Sequence, residues 1–590
     1  MYRRLSAALL AIHLACPLIA AAQEGQPIVV PGTALPAPLA GLVSDTLKRF
    51  TIGPEADEAD EERELRRAER AVQEVLATEG YFEPVLRFEP VAAPGTGGAR
   101  YRLIVELGRR TLVGALDLKL TGALAEARFQ DRAAALRAAW PLPLGAPFRS
   151  PQWESAKTQT LAAVQARDFA GARLVSSIAT VNADDATATL TIEIDSGPAY
   201  TVGELQITGL ERYDPKLVQR YNAFRVGERY DRQKLIEFQQ ALEDTPYFSS
   251  VLVSLQLDPA HPDNAALRVA LRESRTKRVS VGIGVASNTG AHIELAYRQS
   301  LVFGNPYSLQ TGARLDQTGG FGYVDLLLPP KPNGARDSVG ALVEDADIQD
   351  LKVQRWSVGA SRAQLRGART ARHIDTKWNV NFEHEERKTP LDPLITLNTL
   401  STTYTWIRRD VDEIINPRRG NVIEVEGTLG ASGVNFNKFF QRGFGRISQY
   451  FPIGQRDVLI LRSELGGVNV DTADVVPTRF LFRTGGSTTV RGYEFESLGV
   501  KRGGATVGGR ALAIGSVEYV HWLQRWDGNW GVAGFVDVGD AADSFKALDA
   551  AVGVGVGVRW RTLAGPLAVD LAYGEREKKF RVHFSVAIAF

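Results

Sequence analysis

Arg491 stands inside a polar, glycine-rich run, Gly485-Gly486-Ser487-Thr488-Thr489-Val490-Arg491-Gly492-Tyr493. Its chemistry is ion pairing. A guanidinium offers a planar fork of N–H donors that suits a carboxylate in a way lysine does not match. Two acids downstream sit in strand-like sequence. Glu518 lies in Ser516-Val517-Glu518-Tyr519, and Asp537 in Phe535-Val536-Asp537-Val538-Gly539. Asp537 has the opposite parity to Val532, Val536 and Val538, so it points away from their apolar face. Glu518 shares its parity with Leu512 and Ile514, which suggests an intervening bulge. The expectation is a lock: Arg491 pairs with Asp537 and Glu518, with Val490, Gly492 and Tyr493 beside it. Gly553, Gly555 and Gly557 on the next strand leave room for the arriving loop.

Other chemistry is missing from the sequence. His384-Glu385 lacks the second histidine of a zinc-protease helix. There is no G-x-S-x-G and no phosphate loop. No enzymatic role, cofactor or metal is expected. The net charge of +1 over 590 residues offers no basic surface for nucleic acid. Residues 1–22 read as a secretory signal: Arg3 and Arg4, an apolar core from Leu5 to Ile19, then Ala20-Ala21-Ala22. The single cysteine, Cys16, lies inside it, and His13 three positions earlier argues against a lipidated cysteine. No disulfide or cysteine metal site is expected in the mature chain. No later run of about twenty apolar residues offers a membrane helix. Barrel strands escape that test, because they alternate.

The elements that must position the lock are strands. The run around Arg491 belongs to a connection of roughly forty residues, far beyond a hairpin loop. It joins the strand-like Val458 to Val468 to the strand-like Gly509 to Trp522. Alternation dominates 275–590. Val279, Val281, Ile283 and Val285 alternate with Ser280, Gly282 and Gly284; Val552, Val554, Val556 and Val558 alternate with glycines. Apolar residues toward lipid, with small or charged ones toward a lumen, mark a transmembrane barrel. Lipid offers no hydrogen bonds to open edges, so the sheet must close. At roughly twenty residues per strand and turn, about sixteen strands fit. The segment from Asp410 to Gly420 reads as a tight turn. The chain ends on Phe580, Val582, Phe584, Val586, Ile588 and Phe590, every second residue.

The N-terminal half repeats one pattern of strand, two helices and two strands. The copies fall at 23–109, 110–198 and 199–274. The third is clearest: a strand from Val202, a short helix from Pro215, a helix capped by Asp231, Tyr247-Phe248, and two final strands. The middle copy has Asp168-Phe169 where the third has Tyr247-Phe248, and Ser150 before Pro151 as a helix cap. In the first, Asp57 to Thr78 is a charged helix, and prolines break the strand near Pro27 to Leu35.

Val490-Arg491-Gly492-Tyr493 followed by Phe535-x-Asp537-x-Gly539 resembles the paired signature of the outer-membrane assembly factors BamA, TamA and FhaC. There, a [VI]-R-G-[FY] motif sits on an inward-folded loop and an F-x-D-x-G motif on a later strand. The repeated module resembles the POTRA domain of the same family. The resemblance implies α+β POTRA repeats followed by an all-β transmembrane barrel of about 16 antiparallel strands. The location implied is the outer membrane, with the modules in the periplasm. It also implies a weak lateral seam between the first strand (Val279, Val281, Ile283, Val285) and the last (Phe584, Val586, Ile588, Phe590). Through it, barrel clients would enter the bilayer. Three modules resemble TamA most closely, which implies a TamB-like inner-membrane-anchored partner and autotransporter clients. The alternatives are a two-partner secretion pore exporting one soluble partner, lipid transport to the outer membrane, and a passive porin. A plug helix and linker in residues 27–109 would favour the secretion pore.

Overall fold

The computed structural model describes residues 26–27, 29–52, 57–91, 101–366, 372–433, 435–523, 528–562 and 565–586. The signal segment with Cys16, and seam residues Ile588 and Phe590, lie outside the described residues, as does the side chain of Val586.

Three modules share one connectivity. Each has a first strand, two helices, a middle strand and a last strand, and the last strand lies between the other two. In the first module the short strand Val29–Pro31 runs parallel to Tyr101–Glu106, which pairs with Val85–Pro90. The prolines do cut that first strand short. Its long helix, Glu58–Thr78, starts at Asp57, whose side chain accepts from the Asp60 N–H. Ala68, Val72 and Leu76 recur at helical spacing and pack with Val29, Leu39, Val43, Leu47, Leu103 and Val105 in one core. In the second module, Ser150 is already inside the helix Ser150–Gln165, and the cap position is Arg149. Arg149 instead reaches Glu79 through a forked pair at 2.6 and 3.0 Å. Asp168 replaces the tyrosine of the third module for a reason. It takes a left-handed backbone (φ 58°) and accepts from Arg132, whose guanidinium covers the buried ring of Phe169.

A boundary between two compact units runs through the third module; 205–223, 235–254 and 268–590 form one unit. Within it, three buried phenols donate to carbonyls at strand ends of the barrel. Tyr213 reaches Ser300 (3.2 Å), Tyr221 reaches Pro330 (2.5 Å) and Tyr247 reaches Pro306 (2.5 Å). Burial pushes the Tyr221 phenol up to about 12. The folded state thus holds this proton beyond the ordinary phenol value of about 10. The linked stability is complete below that value and is lost as pH rises through about 12. Thermal melts from about pH 9 upward should fall less steeply in Tyr221→Phe than in the parent chain; equal slopes would remove Tyr221 from the alkaline transition.

The rest of the chain is a sheet of sixteen antiparallel strands in sequence order. These are β1 Lys277–Ala286, β2 Gly290–Gln299, β3 Ser308–Asp316, β4 Gly319–Leu327, β5 Ala335–Ile348, β6 Leu351–Arg366, β7 Arg372–Lys388 and β8 Ile395–Val411. There follow β9 Gly420–Ser432, β10 Lys438–Ile453, β11 Asp457–Asn469, β12 Ala511–Trp522, β13 Trp530–Ala542, β14 Ala551–Thr562, β15 Gly565–Gly574 and β16 Lys579–Val586. The alternating apolar set faces outward: Val279, Val281, Ile283 and Val285 are 65–84% exposed, and Val554, Val556, Val558 and Trp560 are also exposed. Such a surface suits hydrocarbon. Among the described residues, no helix is long and apolar enough to cross a membrane. The turn after β8 is tight, with Asp412 Oδ1 accepting from the N–H groups of Glu413, Arg418 and Arg419.

Sheet closure is read from what fills it. The connection between β11 and β12 touches β5, β7 and β10 on one side and β13, β15 and β16 on the other. A single loop can reach all of these only inside a curled sheet. Yet β1 and β16 share no ladder among the described residues. One hydrogen bond joins their ends, Ser287 Oγ to the Phe584 carbonyl at 3.1 Å. The barrel is nearly closed.

Candidate functional site

Arg491 lies where the lock requires it. Nε and Nη2 donate to the two oxygens of Asp537 at 2.7 and 2.9 Å, and the Arg491 backbone N–H adds a third bond at 3.1 Å. Nη1 donates to Glu518 (3.0 Å) and to Asp570 (3.1 Å). The guanidinium centre sits 3.3 Å from the Phe535 ring centroid. Arg491, Glu518, Asp537 and Asp570 are all 0–4% exposed. At this depth an unpaired charge is costly, so the pairing must be complete.

It is complete because more residues take part than the two acids expected. Arg559 donates to Glu518 at 2.8 and 3.0 Å and to Asp570 at 2.5 Å. Arg462 reaches Glu518 at 3.2 Å, and Ser516 Oγ donates to Asp537 at 2.7 Å. Three arginines thus meet three carboxylates. Register explains the convergence: Asp537 stands opposite Ser516 on β12 and Gly553 on β14, and Asp570 on β15 stands opposite Gly557 on β14 and His583 on β16.

No bulge brings Glu518 inward. The β11–β12–β13 register is continuous through Leu512, Ile514 and Glu518. Leu512 and Ile514 do face the lumen, and they are buried there. The loop carries its own apolar core, and Val476, Phe480, Phe482, Val490, Tyr493 and Leu498 pack against them. Parity alone assigns the apolar residues of such a strand to the lipid face, but here the loop is their apolar partner.

The glycines are each used differently. A Cβ on Gly553 would meet the Arg491 carbonyl oxygen at 1.9 Å; one on Gly557 would meet Asp570 Oδ1 at 1.8 Å. Gly492 has φ 93°, and its Cβ would fall 2.7 Å from the Gly574 nitrogen. Tyr493 is fully buried, and its hydroxyl donates to the Val552 carbonyl at 3.0 Å.

The loop also joins the two ends of the sheet. Its Gly492 N–H donates to His583 Nε2 (2.9 Å) on β16, and Arg581 donates to the Gly492 carbonyl (3.0 Å). The Ser487 N–H donates to Asn288 Oδ1 (3.1 Å) in the turn after β1. A second anchor holds the earlier part of the loop. Glu385, fully buried on β7, accepts from the Thr478 N–H and hydroxyl at 2.8–3.0 Å. Arg387 donates to the Val476 carbonyl at 2.8 Å, and Arg479 pairs with Glu383 at 2.7 Å.

A membrane-spanning barrel, preceded by repeated α/β modules and plugged by its own arginine-locked loop, defines the class: a modular outer-membrane β-barrel. Residues 275–590 match the Omp85 superfamily domain, and 200–281 match the surface antigen variable number repeat, the POTRA family. The chain belongs to the Omp85 superfamily. It is an outer-membrane protein whose modules lie in the periplasm. It is 22% identical to the outer membrane protein assembly factor BamA of Neisseria meningitidis serogroup B, over 54% of this chain and 43% of that protein. It is 28% identical to BamA of Buchnera aphidicola over 21% of this chain and 20% of that one. The match therefore spans less than half the length of these curated relatives. BamA from Haemophilus ducreyi lacking POTRA domains 1–3 superposes with a TM-score of 0.65 at 16% identity, over 80% of this chain and 98% of that one.

Proposed function

We propose that this chain is an outer-membrane protein assembly factor that passes β-barrel clients into the bilayer between β1 and β16. One observation carries the reading. The two end strands share no ladder among the described residues, while the neighbouring pairs are joined along their length. An unpaired strand edge is a template for another strand. Incoming client strands would pair there, drawing their energy from their own folding. No catalytic step and no cofactor enters the scheme. Three modules favour a TamA-like role, with autotransporters among the clients and a TamB-like inner-membrane-anchored partner in the periplasm. A secretion pore is less well supported, because Val29–Glu106 forms a folded module with its own core, not a plug helix and linker.

The test is a tether. In a background free of Cys16, cysteines at Ser287 and Phe584 are joined by a cleavable bis-maleimide. Client insertion in proteoliposomes should stop when the tether forms and resume when it is cut. Normal insertion with the tether intact removes the seam route.

A further inference from the structure

We infer that the lumen holds a separate binding site, a cationic and half-apolar cavity that takes a phosphate-bearing amphiphile. The cavity is about 440 Å³ and opens beneath the loop tip, Ser487 to Thr489. One wall is the back of the lock. Another is apolar, from Val411 at the end of β8, Ile414 and Ile415 in the following turn, and Val458 and Ile460 on β11.

Its charge is unbalanced. Arg409, Arg462, Arg491, Arg559 and Arg561 line it, against Glu518 and Asp570 in its wall and Asp537 behind Arg491, an excess of two positive charges (five minus three). Both wall carboxylates are already engaged by Arg491 and Arg559. Two arginines stand outside that arrangement. The Arg409 side chain makes no hydrogen bond or ion pair among the described residues. Arg561 lies over the Trp522 ring at 3.6 Å, and its buried Nε has no hydrogen-bond partner among the described residues. The ring face stabilises the cation but leaves its forked donors unused. A phosphate accepts from several such forks at once. The apolar wall has the chemistry of an acyl chain, and the volume is in the range of small-ligand sites. The shared chemistry is a phosphate, whether on a lipid headgroup or free in solution. The site is independent of the seam, so either reading can fail alone.

The test uses the full chain purified in a non-ionic detergent. Dihexanoyl phosphatidic acid, dihexanoyl glycerol and inorganic phosphate are titrated calorimetrically. Saturable binding is expected for the phosphatidic acid, weaker binding for inorganic phosphate, and none for the glycerol lipid. Arg409→Gln with Arg561→Gln should weaken the first about tenfold or more, because both unused forks are lost. An unchanged heat-modifiable gel shift would verify that the double variant retains its barrel. Inorganic phosphate binding as tightly as the lipid would overturn the amphiphile. No saturable binding, or binding unmoved by the double variant, would overturn the site.

Discussion

Arg491→Ala is expected to free the long loop from the lumen wall and to lower the barrel's stability by about 3–5 kcal/mol, the usual cost of stranding one side of a buried ion pair. The magnitude follows from what remains. Glu518 and Asp570 keep Arg559, but Asp537 keeps no cation, only the Ser516 hydroxyl and the backbone N–H of residue 491. Three cations against three carboxylates become two against three. Lysine at 491 should be nearly as poor, because one ammonium cannot serve Asp537 from two sides while reaching Glu518 and Asp570. Val490 is fully buried beside the lock, which makes it a reporter. In a Val490→Cys chain without Cys16, maleimide labelling should be slow and should accelerate at least about tenfold when Arg491 is replaced, since each 1.4 kcal/mol is a factor of ten. Exchanging the charges, Arg491→Asp with Asp537→Arg, should recover part of the protection. Labelling that stays slow in Arg491→Ala, together with normal client insertion, would leave the lock without a role.

The second large effect needs no change of charge. Gly553→Ala would put a Cβ 1.9 Å from the Arg491 carbonyl oxygen, a backbone atom that cannot swing aside. The loop backbone or the strand must move, and the five hydrogen bonds from Arg491 to its acids share that movement. Displacement comparable to Arg491→Ala is expected, although every lock residue is retained. Gly534→Ala is the control, since nothing stands within 4 Å of its Cβ. Using the same Val490→Cys labelling, Gly553→Ala should label fast and Gly534→Ala slowly. Equal protection in both would mean that the inward glycine is not what admits the loop.

Legibility followed period and contrast. Asp537 could be placed because valines flank it, and a charge between valines declares its face. Asp570, between Val569 and Leu571, and Arg559, between Val558 and Trp560, carry the same signal and could have been added to the lock by the same rule. His583, between Val582 and Phe584, is a further case. The second anchor had no such signal. Around Glu383, Glu385 and Arg387 the intervening residues are His384 and Glu386, so both faces are polar and parity distinguishes nothing. Leu512 and Ile514 misled for the opposite reason, because a lumen filled by an apolar loop reads like a lipid face. The helices of the modules were legible as far as the Asp231 cap, since a change from strand to helix period marks each element, whereas Ser150 fell one residue inside its helix.

Asn288 and the pair Arg581 and His583 belong to opposite ends of the wall, yet all three grip the same nine-residue segment of the loop, 485–493. Mechanically, the cylinder is a split ring held by a bolt. Prying the gap wider loads polar side-chain bonds more than a row of backbone bonds. The force to spring it should therefore soften with added salt, and any molecule that withdraws the bolt would spring the ring without touching either rim.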